Sequence, residues 1–302
     1  MALLQPASGA MPIREKTPGS ADRRTSMPLP DFRSDFLTIA DFLHWWLQND
    51  VLPAQHAATF KTYYGGYIGR FGRYVRHHYS DQTREICNFI REAGSPRLLE
   101  VGGGCGTEAL WFALRGARVV AVDINEDRLA VARARQEIVE QSIGCRLDLE
   151  FRSCSLFEIQ ESGGFDLIWM EQAFHHVEPR DEVYATIARL LAPGGRIVIS
   201  EANGWNPLLQ LVLFRRRGFR TIVDRTTADG QRILYGNERI TVPSAMSHGF
   251  EAAGVKREAV RYFRALPNVA AADALQPLER LIPSYAAPLF SHYNYVGRKP
   301  VA

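Results

Sequence analysis

The chain of 302 residues is 46% hydrophobic and 23% charged, globular proportions that exclude a fibrous or disordered chain and leave room for one large α/β unit with an added helical cap. Its 36 Lys and Arg residues are offset by 33 Asp and Glu, a net charge of +3, which speaks against a nucleic-acid-binding surface. The four cysteines, Cys87, Cys105, Cys145 and Cys154, form no CxxC pair and no metal-ligand spacing, so neither a disulfide framework nor a zinc site is expected and a cytoplasmic setting fits.

Residues 1–30, rich in Pro, Ser, Gly and Arg without apolar periodicity, predict a disordered tail. No basic region followed by an apolar run marks a signal peptide, and no apolar stretch reaches a membrane span. Residues 31–94 predict a helical cap, with Phe36, Ile39, Leu43 and Trp46 on one face. From 95 to 302 β-rich runs alternate with helical stretches. Strands are expected at 97–101, 118–122, 149–153, 165–169 and 196–200, and the alternation implies right-handed βαβ crossovers and a doubly wound sheet.

The first crossover helix is expected to be capped by Thr107, with Glu108 in its first turn and Gly116 as its stop. Asn125 opens the second and Gly144 ends it. After the fifth strand an inserted lid is expected over about 204–245, containing an apolar run, Leu208 to Phe214, followed by Arg215, Arg216, Arg217 and Arg220. The end of the chain predicts a helix finishing near Gly254, a strand at 255–263, a Pro-containing connection and a last strand at 292–297.

Chemistry centres on Leu98-Leu99-Glu100-Val101-Gly102-Gly103-Gly104-Cys105-Gly106-Thr107, a strand feeding a glycine loop that opens a helix. Ligands of open α/β sheets lie beyond the carboxyl ends of the strands, and Asp123, ending the next strand, stands where a carboxylate accepts ribose hydroxyls. The dinucleotide pattern G-x-G-x-x-G fails because Thr107 occupies the third glycine's position. What stands is E-x-G-x-G-x-G, from Glu100 through Gly102 and Gly104 to Gly106.

This resembles motif I of the class I S-adenosylmethionine-dependent methyltransferases. Val119 to Asp123 is similar to the family's second strand, Phe165 to Trp169 to its fourth-strand motif, and Leu190 to Gly195 to the turn before its fifth strand. The resemblance implies a Rossmann-like doubly wound sheet, mostly parallel with an antiparallel last strand, and S-adenosylmethionine as cofactor. It places Glu100, Gly102, Gly104 and Gly106 along the cofactor, Asp123 on its ribose and Asn125 near adenine. Ser153-Cys154-Ser155 stands where the family often has an adenine-binding acid, so Ser153, Cys154 or backbone groups take that contact. Glu171 and the cap tyrosine Tyr64, whose aromatic face attracts a sulfonium, complete the candidate cofactor set.

His175 and His176, just past the fourth strand, are the candidate bases for a hydroxyl acceptor, since imidazole titrates in a suitable range. No Asn or Asp-Pro-Pro-aromatic sequence of the N-methylating families follows that strand. Oxygen methylation of a small molecule or lipid is therefore expected, the alternatives being a protein or RNA methyltransferase or a non-catalytic cofactor-binding protein. The 208–220 segment is read as an amphipathic element touching a membrane or an acyl acceptor, or as a helix folded over the site. Cys105, before a helix N-terminus, is either a lowered-pKa thiol or a small filler.

Overall fold

The computed structural model describes residues 28–226, 230, 232–269, 271–283 and 285–301; of the tail expected over 1–30, residues 1–27 lie outside the described residues. Four helices precede the sheet: α1 (Ile39–Gln48), α2 (Ala54–Tyr63), α3 (Arg73–Gln82) and α4 (Arg84–Ala93). Thr38 caps α1 by accepting the Asp41 N–H at 3.1 Å, and Ile39, Phe42, Leu43 and Trp46 bury one face.

Then follow β1 (Arg97–Val101), α5 (Thr107–Leu114), β2 (Arg118–Asp123), α6 (Glu126–Ile143), β3 (Leu149–Ser153), β4 (Phe165–Glu171), α7 (Arg180–Leu190) and β5 (Leu191–Ala202). The chain continues through α8 (Pro207–Arg217), β6 (Ile222–Thr226), β7 (Arg232–Gly236), α9 (Pro243–Ala252), β8 (Lys256–Phe263), α10 (Ala272–Leu275) and β9 (His292–Arg298). The seven-stranded sheet runs β3-β2-β1-β4-β5-β9-β8, and β6 and β7 pair separately as an antiparallel hairpin. In the main sheet β9 is antiparallel to both of its neighbours, as expected of the last strand.

Alternating side chains feed two cores. Leu98, Ala121, Leu167 and Trp169 face the cap, α5 and α6. Leu99, Val120, Ile168 and Ile197 face α7 and α9. Residues buried on both faces make central strands, and each such Leu, Val or Ile contributes about 1.5–3 kcal/mol over its exposed state.

Two expectations are corrected. The N-cap of α5 is Gly106, in the left-handed conformation and without a side-chain cap, and Thr107 is the first helical residue. Its hydroxyl is drawn inward to the Tyr64 Oη and to Arg135. β5 starts at Leu191, within the stretch read as a turn. The segment expected as a lid holds α8 followed by the β6–β7 hairpin, whose strands the apolar pattern did not announce. Asn206 caps α8 with its Oδ1 on the Leu209 N–H at 2.9 Å, and Pro207 supplies the first turn.

Candidate functional site

The chain winds one way from β1 to β3 and the other way from β4 to β5, so the loops leaving β1 and β4 part and open a crevice above those two strands. The loops touch at its floor. Gly102 has φ 83°, and a Cβ there would stand 2.7 Å from the Cβ of Ala173, so any side chain would strain the backbone and separate the loops. Gly104 and Gly106 continue the bend; Tyr63 is seated against Gly104, while Ala132 and Phe151 close in on Gly106.

Asp123 ties this loop to the end of β2. One carboxylate oxygen accepts the Gly104 N–H at 2.9 Å and the other the Asn125 N–H at 2.8 Å. Asn125 turns its own carboxamide oxygen onto the Arg128 N–H at 3.0 Å, capping α6. Ser153 is exposed and pairs with Asp123 across the strands. Cys154, half-buried, follows it, its thiol pushed up by burial.

Four carboxylates gather beneath the loop. Burial first, then Glu108, Glu171 and Asp123, pushes Glu100 well above the ordinary carboxylate range, and among the described residues its Oε2 has no hydrogen-bond partner. Glu108, which accepts from the Tyr79 hydroxyl, is pushed up to about 7 by burial and by Glu171.

Of the two cap tyrosines, Tyr64 spends its hydroxyl on Thr107 inside the core. Tyr63 is the one at the glycine loop, with the Arg128 guanidinium 5.1 Å from its ring centre. Cap and loop are joined by Arg135, which is fully buried. It donates to the Cys105 carbonyl at 2.6 Å and to Thr107 Oγ1 at 2.8 Å, and it lies 4.6 Å from the ring of Trp46 and 5.3 Å from that of Phe60. The lowered-pKa reading of Cys105 is overturned: burial outweighs the helix terminus and pushes the thiol up to about 12.

On the β4 side the chain passes through Glu171 and Gln172 into a 3-10 turn, Phe174–His176. Gln172 has φ 47°, and both polar atoms of its buried carboxamide lack partners among the described residues. His175 is buried, with Nδ1 2.7 Å from Glu201 Oε2. Burial pulls its pKa down, but Glu201, by charge and hydrogen bond, and Glu238 raise it overall. His176 stacks on Tyr235 at 4.7 Å and places Nδ1 2.8 Å from the Gly236 carbonyl. Burial and the neighbouring His175 push it down to about 3. The structure thus gathers Glu100, Gly102, Gly104, Gly106, Asp123, Asn125 and Glu171 around one crevice, with the histidines on its β4 edge and Tyr64 in the core.

Residues missed from sequence are Tyr63, Glu108, Arg135, Glu201 and Glu238. Glu201 carried a signal, as it directly follows the expected end of the fifth strand, where ligand-facing groups collect. Tyr63 directly precedes Tyr64, the cap tyrosine expected at the cofactor. Arg135 and Glu238 carry no local signature, since their partners come from distant segments.

Residues 99–199 match the model of a methyltransferase domain family. The methyltransferase GfsG of Streptomyces halstedii is 28% identical over 120 residues, 39% of this chain and 42% of that protein. A ubiquinone biosynthesis O-methyltransferase of Aromatoleum aromaticum is 32% identical over 115 residues, 37% of this chain and 47% of that one. The matches thus span less than half the length of these curated relatives.

Among solved structures, a phosphoethanolamine N-methyltransferase of Haemonchus contortus in complex with S-adenosyl-L-methionine aligns with TM-score 0.52 and 16% identity, over 88% of this chain and 61% of that one. A methyltransferase of Methanosarcina mazei aligns with TM-score 0.50 and 15% identity, over 69% of this chain and 94% of that one. The fold is a Rossmann-like α/β domain shared with methyltransferases of known structure. Within it, residues 99–199 are similar to a methyltransferase domain.

Proposed function

We propose that the protein transfers a methyl group from S-adenosylmethionine to an oxygen of an apolar small molecule or lipid. The observation that carries the reading is the set of buried carboxylates under the glycine loop. Among the described residues one oxygen of Glu100 has no hydrogen-bond partner, and burial first, then the neighbouring carboxylates, pushes both Glu100 and Glu108 above the ordinary carboxylate range. Such a site fits a ligand that brings a sulfonium and an ammonium against one carboxylate, because its cations relieve the repulsion. When bound, the cofactor supplies an electrophilic methyl group for in-line displacement by an acceptor lone pair.

The chain's own groups do the rest. Asp123, fixed by two backbone amides, would hold the ribose, and Asn125, Ser153 and Cys154 would border the adenine end; Tyr63 is seated against the glycine loop. Glu171 and Gln172 separate the cofactor from the acceptor side, where His175 and His176 handle the acceptor oxygen. An apolar acceptor is favoured by α8, whose described side chains bury little beyond Leu213. Leu208 is 73% exposed and Phe219, just beyond the helix, 90%, beside Arg215, Arg216 and Arg217, a combination suited to an acyl chain or an anionic membrane surface.

Incubation of the protein with methyl-labelled cofactor and a cell extract tests this reading. Label should enter the organic-solvent fraction; label confined to protein or nucleic acid would reject the acceptor class. Calorimetry showing no heat with the cofactor would reject the transferase reading itself.

A further inference from the structure

The acceptor side holds more than two histidines. The hairpin returns so close beneath the 3-10 turn that Gly236 packs on the His175 carbonyl, where a Cβ could not fit. Two residues on, Glu238 adopts φ 54°, a costly conformation for a side-chain-bearing residue and one that clusters at ligand sites. It sends a carboxylate inward. Its Oε2 is buried, has no hydrogen-bond partner among the described residues and lies 3.7 Å from His175 Nε2. A ring nitrogen from each histidine and an oxygen of Glu238 lie within 4.8 Å of one another.

Both imidazoles are prepared as ligands. The Gly236 carbonyl can only accept, so His176 carries its proton on Nδ1 and leaves the Nε2 lone pair free. Glu201 accepts from Nδ1 of His175 and leaves Nε2 of that ring toward Glu238. A carboxylate and a carbonyl behind two histidines form the outer layer that orients metal-bound imidazoles and raises their basicity. Two histidines and one carboxylate make a donor set for a first-row divalent ion with open positions.

We propose that His175, His176 and Glu238 bind a divalent transition metal, with Glu201 and the Gly236 carbonyl as their orienting partners, and that its open position takes the acceptor oxygen. Tetrahedral zinc requires ligand atoms roughly 3.3 Å apart, so side chains whose donor atoms lie within 4.8 Å of one another would close in on the ion as it binds. The acceptor role rests on the oxygen-methylation reading; the metal site itself does not. A metal there lowers the pKa of a bound hydroxyl, so its oxygen presents a lone pair at neutral pH.

The test is calorimetric titration of chelator-treated full chain with Zn²⁺, and visible absorption after loading with Co²⁺. One ion should bind per chain, with a Kd on the order of 1 µM or tighter, and should raise Tm. Glu238→Gln and His176→Gln should each weaken binding by about 100-fold or more, and Glu201→Gln by about 10- to 100-fold. Circular dichroism of the metal-free variants checks that they fold.

Absence of binding by the wild-type chain, or equal binding and an equal Tm rise in folded Glu238→Gln, would overturn the site and leave Glu238 as an ion-pair partner of His175. Loss of metal binding with cofactor binding intact removes this proposal alone. Loss of cofactor binding with metal binding intact removes the transferase reading alone.

Discussion

The two sides of the crevice are built differently. The proposed cofactor side, from β1 to α6, uses a short stretch of chain: a glycine bend, a carboxylate ending the next strand and a capped helix. The proposed acceptor side draws His175 from beyond β4, Glu201 from β5 and Glu238 from beyond the hairpin. A ligand held by backbone shape and a few carboxylates needs little sequence. An acceptor pocket assembled from insertions can change its preferences while the sheet stays as it is.

Asp123→Ala should produce the largest separation between the two sides. Losing an acceptor for two backbone amides and for the ribose should weaken cofactor affinity by about 100-fold, while metal binding stays within twofold. Calorimetry with each ligand reads this, and a parallel loss of both would mean the two sides form one unit. Arg135→Met comes next: removing a buried cation from its aromatic cage and leaving the Cys105 carbonyl without its donor should cost about 2 kcal/mol in denaturant unfolding.

A pH dependence follows from Glu108. Its folded-state pKa of about 7 stands above the ordinary value of 4.5. The contribution of its protonated form to the unliganded fold is therefore complete below 4.5 and is lost as pH rises through 7. A cationic ligand reverses the preference. Affinity for S-adenosylmethionine should fall about tenfold between pH 7 and pH 5.5, while S-adenosylhomocysteine, which lacks the sulfonium charge, should show a flatter curve. Equal slopes would remove the carboxylate cluster from cofactor recognition.

The smallest thermodynamic effect belongs to the lid. Phe219→Ser should change stability by less than about 0.5 kcal/mol yet raise KM for an apolar acceptor and reduce cosedimentation with anionic vesicles. Unaltered kinetics and vesicle binding would leave the lid without a role in recognition.

The cofactor side was largely legible in the sequence because its signals are local: β1 matches the expected 97–101, and Asn125 and Gly144 bound α6 as read. The misreadings there concern choices between neighbours. Thr107 lost the cap to Gly106 because Arg135 and Tyr64, both distant in sequence, claim its hydroxyl inside the core. Tyr63 and Tyr64 could not be ranked because both lie at the turn that ends α2, and tertiary packing decides which one faces the loop. On the acceptor side His175 and His176 were visible past β4, whereas Glu238 depends on a hairpin return that no periodicity encodes.

Arg135 carries a consequence for the cap. Its guanidinium contacts the glycine bend on one side and α1 on the other, so whatever steadies the bend also steadies Phe42 to Trp46. Amide exchange in the first helix should then slow when the bend is occupied, although that helix lies on the far side of Arg135 from the ligand. The N-terminal helices are in that sense part of the ligand's own binding energy.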